Sequence, residues 1–385
     1  MIYQKDKRLF AKQVDGKYIT WLGNSAQWAV LEEPAWYVCQ MLNDEIHTNS
    51  IVSSCVHKYG SDVENTKEFV ADIVKITRQL EYNCLLDTGN ITDKKNGIWQ
   101  TLIFRSVRNY RINGHIFSVS YQNNWIEDII HPLLAHFETG NSDTEKKFFL
   151  YERKDSFAVT ISGEITKTWM LKQPDLLKGR FFVELLNTIF NKSENDWMAI
   201  AHASAVTDGE KTIIFSAPNG GGKSTLAALL QKKGYAILAD DIVSLDANNG
   251  MAYPSPGALT VKESAYNVLA PYYPELEHNL NQETTRCNIQ YLPVTHKKKY
   301  EQLAQKVLAI VFVCYDEKAD YYVEKVGKLE TIKHFNEETW VSTVPQNAHK
   351  YLDWITGTPS YKLHYSDTDK AISFISNLFQ KHCAV

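Results

Sequence analysis

The chain has 385 residues, with 41 Lys and Arg against 45 Asp and Glu, a formal charge of −4 and an isoelectric point near 6.3. That length predicts more than one hydrophobic core, and the near-neutral balance leaves no electrostatic footprint for nucleic acid or an anionic membrane. No apolar run approaches the roughly 20 residues of a membrane span, and the start, MIYQKDKRLF, lacks a signal peptide's apolar stretch, so a soluble, cytoplasmic protein is expected.

The six cysteines, Cys39, Cys55, Cys84, Cys287, Cys314 and Cys383, are scattered without a C-x-x-C pair and read as free thiols rather than disulfides or zinc ligands.

Residues 1–86 read as a small α+β unit. Two strand-like runs, Arg8 to Val14 and Lys17 to Leu22, meet at Asp15-Gly16, a hairpin signal. Three helical patterns follow. The first opens at Pro34, the second follows Thr48 and stops at Gly60, and the third carries Phe69, Ile73, Ile76 and Leu80 on one stripe. Two strands and three short helices describe a winged-helix-like fold. With nine basic and eleven acidic residues in 1–85 and no basic recognition helix, DNA binding is disfavoured.

Residues 87–97, DTGNITDKKNG, are polar and read as a linker. From 98 to 195 the chain alternates strand-like runs (Thr101 to Arg105, His115 to Tyr121, Lys147 to Leu150, Phe157 to Ile161) with helices around Trp125 to Phe137 and Leu176 to Phe190. An antiparallel layer is predicted, packed beside a phosphate-loop core over 196–385.

That core centres on Thr212 to Phe215, an apolar strand that enters Ser216-Ala217-Pro218-Asn219-Gly220-Gly221-Gly222-Lys223-Ser224-Thr225 and leaves as a helix with Leu226, Leu229 and Leu230 on one face. Strand, glycine loop and helix in that order can turn successive N–H groups around a triphosphate at a helix N-terminus. Asn219 to Thr225 are the predicted nucleotide contacts, with Lys223 as a charge for the outer phosphates and Ser224 as a hydroxyl for Mg²⁺. Ala217 stands where the usual pattern opens with Gly. After Gly234, the strand Tyr235 to Ala239 delivers Asp240 and Asp241 to its end, one free to face a metal or histidine and the other an incoming hydroxyl.

Taken together, His202 in Ala-His-Ala-Ser-Ala, the hairpin around Asp208-Gly209-Glu210, the loop, the helix ending Lys-Lys-Gly-Tyr and then Ala-Asp-Asp resemble the catalytic core of HPr kinase/phosphorylase and its relatives. Tyr253-Pro254-Ser255-Pro256-Gly257 and Pro359 to Leu363 resemble further segments of that group. The resemblance implies an α/β phosphate-loop kinase domain over 98–385, of the HPr kinase and phosphoenolpyruvate carboxykinase-like type. It implies ATP and Mg²⁺ as cofactors, Lys223 on the β/γ-phosphates, Ser224 and Asp241 at the metal, Asp240 as base toward a serine hydroxyl, and His202 paired with Asp241. It leaves open which of the two acids is the base, and ATP versus GTP. The segment serving the reverse reaction in the bifunctional enzymes is not found, so kinase activity alone is expected.

Residues 1–86 resemble PqqD-like domains, which recognise leader peptides of ribosomally made natural products. By that resemblance an extended peptide would add to the hairpin's edge and lie against the third helix, with Tyr18 to Trp21 and Lys67 to Arg78 as the expected groove.

Beyond Asp246, Tyr272 to Leu292 reads as an irregular acceptor or lid loop. Arg286 in it is a candidate phosphate or acceptor contact, being the only arginine between the loop and the C-terminus. Lys297-Lys298-Lys299 reads as a solvated run. Val307 to Val313 is a further buried strand, and Asp369 to Phe379 a closing amphipathic helix.

The expectation is a Ser/Thr-type phosphotransferase acting on a precursor peptide, with homo-oligomerisation left open. Two alternatives stand beside it: a nucleotide-gated peptide-binding protein without transfer, and a kinase of a small hydroxylated metabolite.

Overall fold

A computed structural model describes residues 9–22, 27–87, 98–140, 144, 146–162, 166–274, 276, 289–294 and 304–381. The chain is mixed α/β and divides into two compact units. One is built from 1–88, 327–333 and 341–357, the other from 89–326, 334–340 and 358–385.

In the first unit, strands Leu9–Val14 and Lys17–Leu22 pair antiparallel through Asp15 and Gly16, both at positive φ, as a tight hairpin turn requires. A third strand, Gln27–Leu31, was not expected. It pairs with the free side of Lys17–Leu22 and sets Trp28 opposite Trp21, so Lys17–Leu22 is the centre of a three-stranded sheet. Tyr18 to Trp21 therefore cannot receive an added strand, contrary to the groove expected there: both backbone edges are already paired, and Ile19 and Trp21 are buried.

The three helices, Glu33–Asn43, Thr48–Tyr59 and Val63–Asp87, form where the apolar stripes predict them. Gly60 ends the second in the left-handed conformation, and Val38, Ile51, Val52, Cys55 and Val70 meet in their core. Burial raises the Cys39 thiol to about 11 and raises that of Cys55, as inert core cysteines should behave.

A fourth helix, Pro345–Gly357, joins this unit from far along the chain. Tyr351 packs edge-on to Trp28 with centroids 5.9 Å apart, His349 meets Phe10 at 5.4 Å, and Asp353 pairs with Lys12 at 2.6 Å.

The second unit holds two large sheets. The six-stranded one runs Glu138–Thr139, Ser106–Ile112, His115–Tyr121, Lys146–Arg153, Ser156–Ser162, Lys167–Leu171. It departs from the expected antiparallel layer at one place: His115–Tyr121 and Lys146–Arg153 are parallel. Parallel neighbours need a crossover, and the helix Asn124–Leu134 between them supplies it. The strand expected at Thr101 to Arg105 is instead a 3₁₀ turn, Ile98–Thr101, and irregular chain; Ile103 there is 88% exposed, with no core face to hold it in a sheet. Helix Pro174–Ile189 lays Leu177, Phe181 and Leu185 into this sheet's core with Phe117 and Phe148.

The larger sheet runs Ala236–Ala239, Ser204–Thr207, Lys211–Ser216, Gln305–Tyr315, Met251–Tyr253, Val243–Asp246, Trp197–Ala201. Ser360–Tyr365 pairs with the later half of Gln305–Tyr315, so three strands, Lys211–Ser216, Gln305–Tyr315 and Ser360–Tyr365, run parallel through the centre. Helix Lys223–Lys232 and the closing helix Thr368–Lys381 pack on it, burying Leu226, Leu230, Ala371 and Ile375. A two-stranded ribbon, Leu259–Lys262 with Ile289–Leu292, stands apart. Its second strand replaces the end of the irregular stretch expected over Tyr272 to Leu292, because Tyr291 finds a cross-strand partner in Thr260.

Candidate functional site

The strand Lys211–Ser216 is buried on both faces and ends at the glycine loop, which turns into helix Lys223–Lys232. Gly222 caps that helix at φ 96° and Gly220 lies at φ 86°, conformations L side chains rarely adopt. Gly221 is required for a different reason: a Cβ there would stand 2.6 Å from the Cβ of Ala217. Ala217, where Gly is usual, is thus accommodated by the absence of a side chain at 221. Asn219 and Gly220 are exposed at the loop's tip, whereas Lys223 is 7% exposed. Its Nζ donates to the Ala217 carbonyl at 2.6 Å, folded back across the mouth of the loop. Burial pulls the Lys223 ammonium below its ordinary pKa, against the carboxylates of Asp241, Glu338 and Asp240.

The acids stand at the end of Ala236–Ala239, the strand next but one to the loop strand. Asp240 is 3% exposed and accepts three hydrogen bonds. Ser204 Oγ and Ser224 Oγ donate to Oδ1, the latter at 2.9 Å, and the Thr260 amide donates to Oδ2 at 3.0 Å. Asp241 takes φ 66°, a left-handed backbone that L side chains rarely adopt. Lys178 Nζ donates to Asp241 Oδ2 at 2.8 Å, and Thr260 Oγ1 lies 3.5 Å from the same oxygen.

Burial and the charge of Asp241 push Asp240 above the usual carboxylate range, despite its hydrogen bonds. Burial pushes Asp241 the same way, but Lys178, with His202 and Lys223, outweighs it and holds Asp241 low. Asp240 therefore keeps its proton to higher pH than Asp241 does, an asymmetry found at sites that divide labour between two carboxyls.

Two expected pairings take a different form. Ser224 bonds to Asp240, not to Asp241. His202 sits where the chain passes from Trp197–Ala201 to Ser204–Thr207, and its Nδ1 lies 3.2 Å from the Asp241 backbone carbonyl rather than its carboxylate, which Lys178 occupies. The His202 amide donates to the Glu338 carbonyl at 2.7 Å. Arg286 and Lys297 to Lys299 lie outside the described residues.

Lys178, Ser204, Thr260 and Glu338 are site residues that sequence reasoning did not single out. Only Ser204 carried a local signal, two residues after His202 on a short strand leading away from it. The others arrive from a helix, a ribbon and a turn that no motif connects to the loop.

The residues present fit a magnesium nucleotide. The loop is a cradle that a Cβ at 221 would close, Lys223 stands inside it, and the Ser224 hydroxyl with the Asp240 carboxylate offers oxygens suited to a hard cation. Among the described residues no group of three or more His, Cys, Asp or Glu could hold a metal by itself. No protein-family model matches the chain, and no curated protein matches it either.

Proposed function

We propose that the second unit is an ATP-dependent phosphotransferase of the HPr kinase type, moving the γ-phosphoryl group to a serine or threonine hydroxyl of a peptide. One observation carries the reading: a lysine-bearing glycine cradle stands within one hydrogen bond, through Ser224, of a pair of adjacent acids with opposed proton affinities. Binding alone would need a cradle and one acid; the second carboxylate, kept ionised, suits an alcohol that must lose its proton.

Loop amides and Lys223 hold the outer phosphates, Lys223 exchanging the Ala217 carbonyl for phosphate oxygen. Ser224 and Asp240 would hold Mg²⁺, which when bound neutralises phosphate charge. Asp241 takes the hydroxyl proton. The hydroxyl oxygen bonds to the γ-phosphorus while the bond to the β–γ bridging oxygen breaks, and ADP leaves with that electron pair. These roles invert the order the resemblance implies, assigning the metal to Asp240 and the acceptor to Asp241, because Ser224 is bonded to the first and the second is the more exposed.

The first unit, on the same reading, is a PqqD-like holder of a leader peptide, and among the described residues its sheet offers the outer strands Leu9–Val14 and Gln27–Leu31 for pairing. A leader held there raises the local concentration of its own acceptor. The test is to incubate the protein with ATP, Mg²⁺ and serine-bearing candidate peptides and to weigh the products. A gain of about 80 Da on peptide, the mass of one phosphoryl group, is expected. ATP binding with no mass gain on any peptide would leave a nucleotide-gated binder instead.

A further inference from the structure

We propose that Lys178 is the positioning residue of the transfer reaction: it clamps one oxygen of Asp241 and leaves the other to face the acceptor hydroxyl. The inference rests on the phosphotransferase reading and adds a residue from outside the phosphate-loop core.

Both side-chain contacts of Asp241 fall on the same atom, Oδ2, from Lys178 Nζ at 2.8 Å and Thr260 Oγ1 at 3.5 Å. Among the described residues Oδ1 accepts no hydrogen bond. A carboxylate gripped on one side only has a fixed plane and one open oxygen, the geometry a proton acceptor needs.

The grip is rigid because of where Lys178 is rooted. Its helix, Pro174–Ile189, belongs to the core of the six-stranded sheet, with neighbouring Leu177, Phe181 and Phe182 buried there. Phe182 also lies 3.5 Å from where a Cβ on Gly257 would stand, so the chain after the acids is fitted against the same helix. The six-stranded layer thereby sets the acid's position, which gives a layer without any motif a part in the chemistry.

A decorative ion pair is the competing account, and exposure argues against it. Lys178 is 29% and Asp241 22% exposed, enclosed enough to be ordered and open enough to be reached. The charged and titratable groups facing the pair are Asp240, His202, Lys223 and Tyr291. Of the cations among them, only Lys178 bonds directly to the Asp241 carboxylate.

Removing the Lys178 ammonium frees the Asp241 carboxylate to rotate, so the loss falls on kcat rather than on nucleotide binding. K178M, K178Q and K178R are measured with ATP, Mg²⁺ and a degenerate serine-containing peptide library. The uncharged variants should lose about tenfold or more in kcat, K178R should recover most of it, and KM for ATP should stay within about twofold in all three.

A second readout needs no turnover. Crystal structures of the ligand-free proteins should show the Asp241 carboxylate in one orientation in wild type and K178R, and rotated or split between orientations in K178M and K178Q. An unmoved carboxylate together with an unchanged kcat overturns the proposal. Absence of transfer by the wild-type protein overturns the phosphotransferase reading and this role with it, while the crystal structures separately show whether Lys178 holds Asp241. Having two uncharged replacements keeps the question decidable if one of them fails to fold.

Discussion

Ser224 Oγ donates to Asp240 Oδ1 at 2.9 Å and so ties the first turn of helix Lys223–Lys232 to the end of the strand Ala236–Ala239. The bond sorts the two acids. Asp240 belongs to the phosphate side of the site, Asp241 to the side of Lys178 and His202.

The two asparagine variants should therefore fail differently. D240N should lose about 10-fold or more in affinity for ATP with Mg²⁺ while binding ATP in EDTA nearly as wild type does, since a metal-side carboxylate is gone. D241N should bind both forms normally and lose about 100-fold or more in transfer, the size of a general-base contribution. Calorimetric titration with and without EDTA, alongside turnover, separates them. The reverse pattern would restore Asp240 as the base.

The glycines make an independent prediction about the cradle. Alanine at 221 places a methyl 2.6 Å from the Ala217 Cβ, and alanine at 222 must hold φ 96° with Tyr315 Cβ 3.1 Å away. Each substitution should cost roughly 1–3 kcal/mol in urea unfolding, from left-handed strain or overpacking. G220A meets no neighbour within 4 Å and carries only its φ of 86°, so it should be the mildest of the three. A ranking with G220A as the most damaging would show that contact is not what constrains the loop.

How far the sequence disclosed this site follows from how local each part is. The strand, loop and helix around Lys223 and the pair Asp240-Asp241 occupy a few consecutive residues each, and period and glycine content are readable at that range. Lys178 meets Asp241 across 63 positions and Thr260 meets Asp240 across 20, and no spacing rule links a helix stripe or a ribbon strand to a distant carboxylate. The fold divides the same way. Helices with clear stripes were legible, whereas the third strand Gln27–Leu31, the parallel pairing of His115–Tyr121 with Lys146–Arg153, and the return of Pro345–Gly357 to the first unit depend on partners remote in sequence.

The raised Asp240 carboxyl predicts a pH dependence of stability. Its folded pKa, about 6, lies above the unfolded value near 3.8, so the folded state binds the proton more tightly. Stability from this group is present below the unfolded value and is lost as pH rises through about 6. At pH 7.5 ligand-free D240N should therefore be more stable than wild type, by at most about 3 kcal/mol at 1.36 kcal/mol per unit. The gain should shrink by pH 5, when the wild-type acid is largely protonated. An asparagine can keep the bonding, accepting from the Thr260 amide and donating to the two serine hydroxyls. Urea melts of both proteins at the two pH values check the sign; a variant less stable than wild type at pH 7.5 would contradict it.

The return of Pro345–Gly357 to the first unit bears on any attempt to remove that unit by truncation. Tyr351 is fully buried with its ring against Trp28, and Lys12 bonds to both Asp353 and Thr356. Deleting residues 1–87 strips Tyr351 of its Trp28 contact and leaves the helix without the sheet whose residues it meets. The truncated chain should aggregate or melt well below the full protein in circular dichroism and size-exclusion chromatography. Y351A in the full chain should cost about 3–5 kcal/mol, the range for emptying a buried aromatic site. Dependence on a leader peptide is better read with an edge-strand change such as V30P, on a residue 49% exposed. Proline there prevents strand addition at Gln27–Leu31 if Val30 presents its amide outward, and otherwise breaks the pairing with Ile19. A melting temperature kept near wild type identifies the first case. In that case, raised KM for a leader-bearing peptide with unchanged kcat on a leaderless one marks Gln27–Leu31 as the docking edge, and unchanged kinetics on both exclude it.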